Sequence, residues 1–165
     1  MKRYLILLLV ILTSRVIYPG PNIYTTLVIV EEDESGDQTD DNMPVTDGIM
    51  DAMWDYDQYV FFDMKIDKPL EIKDDKIDVY SFIRDAREAS ADTILCIKIN
   101  YNSKIVENGL KITAESYYFN LFSLNNLDSL SAGKIKIDIN EVIDVKNKGK
   151  YLKNIGNQIL NDILK

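Results

Sequence analysis

The chain has 165 residues, 46% of them apolar and 28% charged, and carries a net charge of −8. That is enough for one domain with an ordinary core, while the acid excess disfavours nucleic acid, whose phosphates need a cationic surface. With no histidine and one cysteine, Cys96, the chain lacks the atoms for Ser-His or Cys-His catalysis, a His/Cys zinc site or an internal disulfide.

Residues 1–14 read as a secretory signal peptide. Lys2 and Arg3 precede an unbroken apolar run at 4–12, and small residues follow at Thr13 and Ser14. The run covers about 14 Å as a helix, too short for a bilayer core of about 30 Å. It is either removed after Ser14 or kept as an uncleaved anchor. Cys96 lies far downstream, so no lipid anchor is expected at this end, nor any transmembrane span after the signal. Residues 15–24, with Pro19, Gly20 and Pro21, form a lead-in. Residues 25–165 are expected to form a single globular domain.

TTLVIV, residues 25–30, is β-branched and apolar on both faces, the pattern of a central strand covered on each side. EEDESGDQTDDN follows at 31–42 with seven carboxylates in twelve positions. Its expected role is a solvated connection. It fails the EF-hand template: counted from Asp33, Gln38 stands where glycine is needed and Pro44 where glutamate is needed. A looser calcium site stays open, with Asp37, Asp40 and Asp41 as its oxygen donors. They would be joined by Asp47 and Asp51 of the next helix. Thr46 is the expected cap of that helix, and Ile49, Met50, Met53 and Trp54 its apolar face. Asp47, Asp51 and Asp55 share the opposite face. There they repel one another unless lysines or a cation intervene.

A second strand is expected at 58–66 and a second helix at 79–90, with Val79, Phe82, Ile83 and Ala86 inward. The third strand, 92–101, places Leu95, Ile97, Ile99 and Tyr101 on one side and Lys98 and Asn100 on the other. Cys96 within it reads as a small buried hydrophobe. Asn108-Gly109 signals a hairpin into a fourth strand at 110–124. A polar turn at 124–133 leads to a half-exposed fifth strand at 134–139. The last helix, 148–165, turns Leu152, Ile155, Ile159, Leu160, Ile163 and Leu164 onto the sheet. The ten tyrosines suit either an interface or an ordinary sheet surface.

The order β-α-β-α-β-β-β-α predicts an α/β (α+β) fold, a single mixed five-stranded sheet with helices packed on it. Three stretches carry a resemblance: TTLVIV with the helix DGIMDAMWD, DAREASADTILCIKI, and SYYFNLFSLNNLDSLSAGKIKI. In layout they resemble the amino-terminal domain of TolB and the LpoB and CsgG-like domains of bacterial envelope proteins. The resemblance implies a non-enzymatic adaptor that binds an envelope protein; with the signal-like leader and the missing catalytic sets, the expectation is an exported, periplasmic protein without cofactor that meets its partner at a sheet edge or the acidic face. The resemblance assigns no site residue. The alternatives are a small-ligand or calcium-binding module built on the acidic loop and first helix, and a carboxylate-dependent hydrolase, which requires two acids facing across a cleft.

Overall fold

The computed structural model describes residues 24–36, 43–56, 59–63 and 69–165, with Tyr24 and 59–63 as backbone. In chain order the elements are β1 (Tyr24–Gly36), α1 (Pro44–Trp54), β2 (Tyr59–Asp63), β3 (Ile72–Lys73) and β4 (Lys76–Ile77). A 3-10 turn (Tyr80–Phe82) then runs into α2 (Ile83–Glu88). β5 (Thr93–Val106), β6 (Gly109–Ser123), β7 (Asp128–Ile143), a second 3-10 turn (Val145–Asn147) and α3 (Lys148–Ile163) complete the chain. The expected leader, 1–14, and all of the lead-in but Tyr24 lie outside the described residues.

The fold is mixed α+β. Five strands form the main sheet in the order β2-β1-β5-β6-β7. β1 runs parallel to β2 and β5, and β5, β6 and β7 form an antiparallel meander. The expectation of a single sheet needs one correction: β3 and β4 make a separate two-stranded ribbon. Its tight turn, Asp74-Asp75, holds both residues at positive φ, +50° and +58°. Aspartate tolerates that region because its short side chain can bond its own backbone. The charges of that stretch concealed a strand pair.

Each face of the sheet packs against different elements over part of its length. Val28, Val30, Leu95, Ile97 and Ile99 pack with Val45, Ile49 and Met53 of α1 and Leu152, Ile155 and Ile159 of α3. The opposite face, Leu27, Ile29, Ile94, Cys96 and Phe122, packs under Leu70, Ile77, Val79 and Ala86. TTLVIV is therefore buried on both sides, and Cys96 is a fully buried free thiol. Helices α1 and α3 touch through glycine. A Cβ on Gly156 would lie 2.1 Å from the Val45 carbonyl oxygen, and one on Gly48 would lie 2.0 Å from that of Lys153.

Several boundaries move. β1 continues through Gly36, so the first half of the acid-rich stretch is strand. Helix α1 begins at Pro44, a favoured first-turn residue, with Met43 in the N-cap position, so Thr46 is not the cap. Its inward face is Val45, Ile49, Ala52 and Met53; Trp54, one residue further round, is 76% exposed. The expected second helix is a 3-10 turn followed by six α-helical residues. The hairpin turn falls at Glu107-Asn108, with Gly109 opening β6 at φ +143°. β7 begins at Asp128, well before Lys134, and takes in most of the expected polar turn.

Candidate functional site

Glu31, Glu32 and Glu34 are internal braces. In β1 the alternation of TTLVIV continues into the acids: Glu32 and Glu34 follow Val28 and Val30 on one face, and Glu31 follows Leu27 and Ile29 on the other. Glu31 pairs with Lys98 at 2.6 Å and accepts the Leu70 N–H, which ties the lead into the ribbon to the sheet. Glu32 accepts the backbone N–H groups of Val45 at 3.2 Å and Thr46 at 2.8 Å, and the Thr46 hydroxyl at 3.0 Å. Its carboxylate thus supplies the cap for α1, where orphan N–H groups and the helix dipole favour negative charge.

Glu34 accepts from Lys148 Nζ at 2.7 Å and from the Ser103 hydroxyl; its side chain is 6% exposed and that of Lys148 11%. The Tyr101 hydroxyl joins the two acids, donating to Glu32 at 2.9 Å and reaching Glu34 at 3.5 Å. One network therefore links β1, β5 and the first turns of α1 and α3. The expected solvated connection is overturned for residues 31–36. Its signal was present in the sequence as strand-period alternation, but the partners Lys98, Tyr101 and Lys148 are 67 to 114 residues away.

The calcium candidates separate. Asp37, Asp40 and Asp41 lie outside the described residues. Asp47 and Asp51 stand on the solvent face of α1, as expected, and Asp51 pairs with Lys153 of α3 at 2.5 Å. Asp51, then Asp47, hold the Lys153 ammonium above its ordinary range. A lysine thus offsets the repulsion along this face. Among the described residues no group of three or more acids, cysteines or histidines is placed to hold a metal ion.

Burial and then the Glu32 carboxylate push the Tyr101 phenol far above its ordinary value of 10.0. Burial, then Asp162, raises Tyr117, and burial alone raises the Cys96 thiol above 9.0. All three bind their protons more tightly folded than unfolded. Their contribution to stability is complete below the unfolded values and is lost as pH rises above them. The urea midpoint is therefore expected to fall between about pH 8 and about pH 10.5; an unchanged midpoint would contradict this burial.

An open concavity lies on the part of the sheet beyond the ribbon and α2. It has a volume of about 690 Å³ and is lined by Lys98, Asn100, Asn102, Thr113, Glu115 and Tyr118, among others. These side chains come from β5 and β6 where the registers slip between Ile99 and Asn102 and between Ala114 and Ser116. The bulges interrupt the apolar alternation and, with Asp138 and Asn140 of β7, present amides, hydroxyls and two carboxylates on a floor of strands. Lys134 lies 5.2 Å above the Tyr118 ring nearby. A smaller depression of about 240 Å³ lies between the ribbon and the start of β7, beside Tyr80, Asn120 and Phe122. Sequence reasoning missed both. The tyrosines divide: Tyr101 and Tyr117 are buried, while Tyr80 is 68% exposed and edge-on to Phe122.

No protein-family model and no curated protein matches the chain. Solved structures do match. A variant PelC dodecamer from Paraburkholderia phytofirmans aligns over 85% of this chain and 92% of its own, at 9% identity and a TM-score of 0.51. A second PelC dodecamer from the same organism covers 84% of each chain, at 10% identity and 0.49. TolB from Acinetobacter baumannii covers 88% of this chain and 28% of its own, at 10% identity and 0.44. These are likenesses of fold. Among the described residues no helix is long and apolar enough to cross a membrane.

Proposed function

We propose that the chain is an exported, non-enzymatic interaction domain of the bacterial cell envelope, periplasmic in location, which receives an envelope protein on the open half of its sheet. The observation that carries this reading is the polar concavity around Asn100, Asn102, Thr113 and Tyr118. Amides and hydroxyls on rigid strands suit a wet, hydrogen-bonded contact. Export is supported by Lys2 and Arg3 followed by the apolar run at 4–12. A binding role is supported by the chemistry at hand: the thiol is buried and its proton held, and the inward acids already serve helix ends and lysines. The sheet edge is one expected meeting place for a partner; the acidic face is the other, and its first half is occupied internally.

The test is a photo-crosslinkable residue placed at Asn102 in the full chain, expressed in a bacterial host and followed by fractionation. The expected result is one defined adduct in the periplasmic fraction, absent when the same residue replaces Arg87 on α2. No adduct at Asn102, or retention of the chain in the cytoplasm, would overturn the reading.

A further inference from the structure

We propose that β7 is a self-pairing edge, along which two copies of this chain join β7 to β7 antiparallel about a two-fold axis at Ile137. The two main sheets then become one. Asp138, Ile139 and Asn140 of this edge also line the concavity of the partner reading, but the inference is tested separately, by self-association of the purified chain.

β7 is the outermost strand of the sheet, and among the described residues nothing pairs with its outer side. Sixteen residues of edge backbone are a template for another strand. What selects the occupant is the sequence KIKIDIN, residues 134–140. Ile135, Ile137 and Ile139 are half-buried on the α3 side, and Lys134, Lys136, Asp138 and Asn140 are exposed on the other. Residues opposite each other in an antiparallel pair share a face, so only registers that match face to face survive.

Within that set an axis at Ile139 sets Ile137 against Glu141 and Lys136 against Val142, two polar–apolar mismatches; among the rest the charges decide. An axis at Lys136 sets that lysine against its own copy, and an axis at Asp138 does the same to the aspartate. An axis at Ile135 sets Lys134 against Lys136. An axis at Ile137 sets Lys136 against Asp138 in both directions and Lys134 against Asn140. On the other face it places Ile135 beside Ile139 and Ile137 beside its copy. The edge is therefore self-complementary on both faces, as an isologous interface requires. Lys136 and Asp138 form no ion pair among the described residues, so both are available to a second copy.

β7 carries a bulge here: three steps from Lys136 to Ile139 face two from Ser116 to Ala114, and Asp138 takes φ +39°. A bulge increases local twist, and two-stranded seams twist more than sheet interiors. Bulges also serve to keep edges apart, which gives the contrary result a physical basis.

Sedimentation equilibrium of the full chain over a wide concentration range tests this. The expected result is a monomer–dimer equilibrium that Lys136→Glu weakens about tenfold or more, since acids then face each other twice. Adding Asp138→Lys to Lys136→Glu recovers the dimer. Cys96 is buried, so a mixture of the exposed variants Lys136→Cys and Asp138→Cys should give disulfide dimers in excess of either variant alone. Circular dichroism confirms that each variant is folded. A monomer at every concentration, or a dimer indifferent to Lys136→Glu, overturns the proposal.

Discussion

Replacing Gly156 with alanine is expected to destabilise the protein by about 3 kcal/mol or more, at the upper end of the usual cost of overpacking. The added Cβ would meet the Val45 carbonyl oxygen at 2.1 Å, the Ile49 nitrogen at 2.9 Å and Gly48 Cα at 3.0 Å. All three are backbone atoms of α1, so no rotamer change relieves the clash; the helices must separate. Val45, Ile49 and Met53 would lose their fit against Leu152, Ile155 and Ile159. Gly149→Ala is the control. It lies in the same helix with nothing within 4 Å of its added Cβ, and alanine's helix propensity should make it neutral or stabilising by up to about 1 kcal/mol. Urea unfolding of both variants checks the pair. Equal effects at the two positions would show that the close approach of α1 and α3 is wrong.

Removing Lys148 or Glu34 singly is the second large effect. Each removes the opposite charge from a site where both side chains are nearly inaccessible. Breaking such a pair costs about 3–5 kcal/mol, whereas replacing both partners with apolar residues is often neutral. Lys148→Met and Glu34→Leu are each expected to lower stability by that amount. The double variant should recover much of it, although Ser103 and Tyr101 lose an acceptor. Measured as a double-mutant cycle, additive losses would contradict the pairing.

The elements with one strong period were legible in the sequence. The stripe Leu152, Ile155, Ile159, Leu160 and Ile163 specified α3, and the alternation from Leu95 to Tyr101 specified the core side of β5. Polar strand was not legible. Ile72–Lys73 and Lys76–Ile77 pair through two residues each, and the first part of β7 is Asp, Ser and Leu. In both, cross-strand neighbours decide the conformation and local composition does not. The open concavity was hidden for a related reason, since it arises where β5, β6 and β7 slip register. A slip belongs to the pairing of strands and leaves no mark on any one of them.

The acid-rich stretch shows the limit most clearly. Seven carboxylates in twelve residues suggested water on every side. Strand geometry instead carries Glu32 and Glu34 inward, to a helix end and a buried lysine. Composition describes what a segment could do in isolation; long-range partners determine what it does here.

Amide hydrogen exchange at residues 31–35, with the chain in native buffer, tests this most directly. β1 pairs with β5 from Thr26–Thr93 through Gly36–Ser103, so the inner amides of the stretch should exchange as slowly as those of the core strands, near the limit set by global unfolding. Exchange at the rate of an open loop would contradict the account.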